Sequence, residues 1–155
     1  MAVAEVSLFE RCEYCFAPKP QPGACGKCGY DHGLCDLPGW MLPPGSLLKG
    51  RYMVGKNRGV TDRQLSYLGW DLERQETVDI VEYFPRELVT RDITHSPEVV
   101  TIPGREAQVE SGRQQFFERA KLFYNCVSRV EEDLMMDFFL RNNTTYYVMK
   151  RHKTT

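Results

Sequence analysis

Two short cysteine pairs constrain this chain more than any other feature. Cys12-Glu13-Tyr14-Cys15 is followed, after nine residues, by Cys25-Gly26-Lys27-Cys28-Gly29. Each C-x-x-C makes a tight knuckle presenting two thiolates, and two knuckles at this separation complete the tetrahedral donor set of a metal site. Pro18, Pro20, Pro22 and Gly23 suit the loop between them. The spacing predicts zinc on Cys12, Cys15, Cys25 and Cys28. With all four positions filled by protein, no position is left for water, so such an ion is structural and not catalytic. Metal binding contributes on the order of 10 kcal/mol to the folding of small zinc peptides, which a segment this poor in core residues needs. A disulfide pair or a redox dithiol is the alternative, disfavoured in a reducing compartment. Cys35 or His32 could stand in for one ligand, and Cys126, beside the apolar face of a later helix, is expected in the core.

Composition narrows the rest. A chain of 155 residues with 42% hydrophobic and 26% charged residues has room for one ordinary domain plus a metal-stapled module, and enough apolar side chains to fold. Its formal net charge of -1 provides no global field for a nucleic acid or an anionic bilayer. In residues 1–45 the three basic residues Arg11, Lys19 and Lys27 are outnumbered by five acids, which argues against a nucleic-acid-binding ribbon. The apolar runs Leu134-Met135-Met136 and Phe138-Phe139-Leu140 are split by Asp137 and fall short of the roughly 20 residues that span a bilayer. The opening Met1 to Glu5 has no basic segment of the secretory kind. Neither a membrane nor a nucleic acid is expected as partner, and the expected location is cytoplasmic.

The pattern changes near residue 45. Residues 1–45 read as the metal module with a Pro- and Gly-rich linker at Leu37 to Gly45, and residues 46–155 as a second domain. There, Arg51 to Gly55, Leu65 to Trp70 and Thr77 to Phe84 read as strands. Arg86 to Glu110 is a long connection without periodicity. A helix is expected to open at Ser111, capped with Gln114, its apolar face formed by Phe116, Ala120, Phe123, Tyr124 and Val127. Leu134 to Leu140 and Thr144 to Lys150 read as a hairpin turning at Asn142-Asn143, a pair that tolerates positive φ. The expected fold is α+β: a small zinc ribbon, then a five-stranded antiparallel sheet with one packed helix, in the order β-β-β-α-β-β.

Several segments carry a resemblance. Leu42-Pro43-Pro44-Gly45-Ser46, Arg51-Tyr52, Tyr67-Leu68-Gly69-Trp70-Asp71, Asp79-Ile80-Val81-Glu82-Tyr83-Phe84-Pro85, Arg119-Ala120 and Tyr146-Tyr147-Val148-Met149 follow one another along the chain. Together with the ribbon they resemble the start of a bacterial serine/threonine protein kinase of the kind that carries an N-terminal zinc ribbon. The resemblance spans the whole chain and implies a kinase N-lobe, a fold the strand order suggests on its own. It also implies that the chemistry has been removed. The place of the glycine-rich loop is taken by Gly59-Val60-Thr61-Asp62-Arg63-Gln64, where only Gly59 remains to let a phosphate approach the backbone. The phosphate-binding lysine aligns with Val81, its helix glutamate with Arg119, and the small residue over the adenine with Asp79, a carboxylate that must be desolvated to meet a base. Beyond Met149, neither a His-Arg-Asp loop nor an Asp-Phe-Gly motif follows in the sequence. No ATP is expected to bind. Val81 then packs as core; a sharper reading pairs Asp79 with Arg119 across the old cleft.

The expected function is a zinc-binding, pseudokinase-like module that is not an enzyme and that binds another protein: a true kinase, a receptor, or a second copy of itself. An N-lobe without its C-lobe uncovers apolar residues, with Phe123, Phe139 and Met149 as candidates. The alternative is a phosphotransferase completed by a C-lobe in trans or by sequence beyond Thr155.

Overall fold

The computed structural model of the chain describes residues 11–19, 23–31, 37–124 and 135–151, with the side chain of Phe123 excepted. Its elements are β1 (Leu47–Leu48), β2 (Tyr52–Val60), β3 (Gln64–Asp71), β4 (Glu76–Tyr83), β5 (Val89–Thr90), β6 (Val100–Thr101), α1 (Glu106–Tyr124), β7 (Met135–Arg141) and β8 (Thr144–Lys150). The architecture is mixed α+β. The main sheet has six antiparallel strands, in the order β1-β2-β3-β4-β8-β7. The expected five are all present, and the sixth is the two-residue edge strand β1, too short to carry a period-2 signal.

The sheet curls until its two ends meet. Lys49, in the turn after β1, reaches Asp137 on β7 at 2.8 Å, and the Tyr52 hydroxyl donates to the same carboxylate at 2.9 Å. The Tyr52, Phe139 and Tyr146 rings stack across the gap. Phe139 is therefore core, 9% exposed, and not part of an uncovered surface. Curling brings its ring against Tyr52, a contact between strands that sit far apart in the sheet order.

Period-2 alternation sends Val78, Ile80 and Glu82 of β4 to one face and Asp79, Val81 and Tyr83 to the other. The first face holds the main core, covered by segments that read as linker and loop in the sequence. Trp40 and Leu42 pack into it, Ile93 N–H donates to the Gly39 carbonyl, and residues 86–102 fold back as the small β5–β6 ribbon. Arg91 anchors this cover. Its guanidinium, with no exposed side-chain surface, donates to both carboxylate oxygens of Glu82 at 2.8 Å and to the Trp40 carbonyl at 3.0 Å. Tyr67 and Tyr146 also donate to Glu82. Burial first, and then the Glu82 charge, raise both phenols well above their ordinary range and keep them as donors.

The helix α1 lies on the opposite face and starts earlier than Ser111. The turn at Pro103-Gly104 sets its start, where Gly104 has φ of 91° and its N–H meets the Glu106 carboxylate at 3.0 Å. Ser111 is thus a helix-interior residue. Phe116 packs at a tilt against Tyr83 and stacks on Tyr147, Phe117 and Tyr124 pack edge-on against Phe138, and Ala120 is buried. Gly112 permits the close approach, since a methyl there would lie 2.1 Å from the Tyr83 hydroxyl oxygen. The β7–β8 turn is as expected, with Asn142 and Asn143 both at positive φ, 52° and 60°. No described helix is long and apolar enough to cross a membrane.

Candidate functional site

The four expected ligands converge. The sulfurs of Cys12, Cys15, Cys25 and Cys28 all lie within 4.8 Å of one another. Cys12 and Cys28 approach to 3.6 Å, and Cys15 and Cys25 to 3.8 Å. A tetrahedral ion with metal–sulfur bonds of about 2.3 Å requires sulfur–sulfur edges of about 3.8 Å, so the cluster has the size a metal ion needs. Backbone N–H groups of Tyr14, Lys27 and Cys28 point at the Cys12 and Cys25 sulfurs at 3.3 to 3.5 Å. The N–H groups of Cys28 and Lys27 lower the Cys25 thiol to about 6, while desolvation, with neighbouring sulfurs adding to it, raises Cys28 to about 12. Four thiolates this close repel one another, and a cation is what lets all of them ionise. His32 and Cys35 lie outside the described residues, as do Cys126 and Val127.

The knuckles are near copies. Cys12 N–H donates to the Ala17 carbonyl as Cys25 N–H does to that of Tyr30, both at 2.9 Å, and Phe16 N–H meets the Cys12 carbonyl as Gly29 N–H meets that of Cys25. Tyr14 and Tyr30 stack at 4.8 Å and cover the cluster.

The second site is the helix-side face of the sheet. A cavity of about 350 Å³ is lined by Arg58, Ser66, Asp79, Val81, Tyr147 and Met149. It gathers Asp79, Val81 and the half-buried Met149 from among the expected residues. Val81 is 7% exposed and packs as core. Gly59 lies on β2 opposite Ser66 and does not line the cavity. The stretch expected in place of a phosphate loop forms the end of β2 and a tight hairpin into β3, where the Thr61 hydroxyl accepts from the N–H groups of Arg63 and Gln64. Asp79 does not pair with Arg119. Its carboxylate takes Arg151 at 3.0 Å and has Arg58 at 3.9 Å, because β8 ends beside it and delivers Arg151. Arg119 lines a separate cavity of about 600 Å³, between the β2–β3 turn, the end of β4 and α1.

Sequence reasoning misses Arg58, Ser66 and Tyr147. Ser66 and Tyr147 alternate with buried neighbours on strands that were expected. Arg58 escapes because β2 runs to Val60, past Gly55, across register shifts that break the alternation.

No family model matches the chain, and no curated protein matches it. Among solved structures, that of PpkA-294 in its apo form is similar, with a TM-score of 0.64 at 20% identity, over 72% of this chain and 38% of that one. The chain thus spans less than half of that structure's length, and at this identity the likeness is one of fold.

Proposed function

We propose that this chain is a metal-stapled, kinase N-lobe-like module without catalytic activity, which acts by binding another protein. The observation that carries this reading is the composition of the helix-side cavity. Where a nucleotide-binding lobe needs a small apolar ceiling and a phosphate-gripping lysine, this cavity has Asp79, held by Arg151, and the buried Val81. Phosphoryl transfer asks a protein chiefly for positioning and charge neutralisation, and neither side chain supplies them. The fold likeness to PpkA-294, a fragment of a bacterial serine/threonine kinase, supports the N-lobe reading. The all-sulfur donor set and its edge lengths favour zinc as the ion, held by Cys12, Cys15, Cys25 and Cys28, where it would cross-link the knuckles and leave no open coordination position.

Thermal denaturation with millimolar ATP and magnesium is the direct test. A ligand at 100 times its Kd stabilises a fold by about 2.7 kcal/mol, so at about 1 mM ATP any binding with a Kd of roughly 10 μM or tighter shifts the melting temperature clearly. No shift is expected. A clear stabilisation would overturn this reading and favour the alternative, a kinase half completed by a C-lobe.

A further inference from the structure

Phe16 occupies a backbone conformation that its twin in the second knuckle leaves to glycine. It follows Cys15 as Gly29 follows Cys28, and both residues have positive φ, 63° for Phe16 and 81° for Gly29. An aromatic residue in the left-handed region is strained, and strain of this kind persists only where surrounding contacts enforce it. Those contacts are on the sheet. Phe16 is 2% exposed and clusters with Leu68 and Trp70, its ring 5.9 Å from that of Trp70. The socket is cut for it: a methyl on Gly55 would lie 2.6 Å from the Phe16 ring and 2.9 Å from the Tyr14 carbonyl oxygen. That same carbonyl accepts the Lys56 N–H at 2.9 Å, where the β2–β3 register breaks and leaves the amide free. Arg11 lies over the Trp70 ring at 4.3 Å and donates to the Phe16 carbonyl at 2.9 Å.

We propose that the first knuckle is a metal-dependent clasp. The ion on Cys12 and Cys15 fixes the loop that holds Phe16 in the Gly55–Trp70 socket. Loss of the ion releases Phe16 and uncovers the apolar strip of Leu68, Trp70 and the flanking Met53. Leu68 and Trp70 alternate along β3 with Ser66 and so share the face that bears the small cavity. How much of this face is exposed therefore depends on metal occupancy. Coupling of this kind is reciprocal: if the ion favours seating of Phe16 in the socket, that seating must tighten the ion by the same factor. The proposal rests on the metal reading and is independent of the kinase-like one.

The test uses the full chain with Trp40→Phe, so that emission reports Trp70 alone. Metal content is measured first, and a protein purified without bound metal would remove the metal reading and the clasp together. With metal present, a chelator is expected to red-shift Trp70 emission while far-UV dichroism of the sheet persists, and zinc is expected to reverse the shift. Phe16→Ala keeps a Cβ in the left-handed backbone conformation yet empties the socket, and Gly55→Ala fills the socket. Each is expected to weaken zinc in a competition titration by about tenfold, within the usual range for coupled sites. Gly59→Ala, on the same strand, where a methyl meets nothing nearer than 4.0 Å, is expected to leave affinity unchanged. Unshifted Trp70 emission on chelation, or global unfolding of the sheet with it, overturns the clasp while leaving the metal reading intact. Wild-type zinc affinity in Phe16→Ala does the same, and this variant decides the point if Gly55→Ala does not fold.

Discussion

Glu82 and Asp79 stand three residues apart on β4 and face opposite sides of the sheet. Glu82 has no exposed side-chain surface; Asp79 retains 40%. Glu82 is met by a two-pronged guanidinium and two phenols, so every lone pair has a donor and the low dielectric strengthens the set. Asp79 has one guanidinium at 3.0 Å and a second at 3.9 Å, both open to water. One strand thus carries a charge that organises the fold and a charge that merely lines an open cavity. Burial with complete satisfaction, not the presence of an ion pair, separates them.

The largest test of that contrast is Arg91→Ala. It strands the Glu82 carboxylate among the core side chains and removes the tie to the Trp40 carbonyl, so a loss of about 3–5 kcal/mol is expected in urea denaturation. Adding Glu82→Gln should recover part of that loss, because a neutral amide costs less to bury than an unpaired charge. If Arg91→Ala loses less than about 1 kcal/mol, the cover of residues 86–102 is held by its apolar contacts and the contrast fails.

These two sites also mark what the sequence makes legible. Metal ligation depends on local spacing, so Cys12, Cys15, Cys25 and Cys28 can be read directly from the chain and meet as expected. The strands of the sheet and the Asn142-Asn143 turn follow from period-2 pattern and turn chemistry. Arg91, by contrast, belongs to a stretch with no periodicity, and only the fold brings it onto Glu82. The Asp79–Arg119 expectation fails for a related reason: it assumes a helix register and cannot anticipate that β8 ends where Arg151 meets the carboxylate. Phe16 gives no warning at all, since its conformation becomes informative only beside that of Gly29.

Asp71 sits between the two extremes. Its side chain is buried, but its partner Arg51 remains 26% exposed. Burial alone would raise its pKa. The bidentate bond from Arg51, at 2.9 Å for each arm, and the N–H groups of Glu73 and Arg74 outweigh that and hold the carboxyl below its ordinary value. A depressed folded-state pKa gives stability that is full above the unfolded value of about 3.9 and is lost as pH falls through the folded one. Asp71→Asn is expected to cost about 2 kcal/mol at pH 7. The gap between wild type and variant should close as the pH drops below about 4. A gap that stays constant through this range would mean that Asp71 acts through shape and not charge.

Asp79→Ala should have the smallest effect. Both its partners keep water contact, with side-chain exposures of 27% for Arg151 and 40% for Arg58, and exposed pairs of this kind contribute about 0.2–1 kcal/mol. The variant should lower the urea midpoint only slightly, and salt should erase the difference, because screening reaches a solvated pair and barely touches a buried one. A salt-independent loss of about 2 kcal/mol or more, outside the range for exposed pairs, would place Asp79 in the same class as Glu82. The cavity would then be closed by a structural ion pair, and removing Asp79 would open space beside Val81 rather than simply discharge it. Repeating the measurement in Arg151→Ala closes a double-mutant cycle on the pair, and a coupling below about 0.5 kcal/mol is expected for groups so solvated.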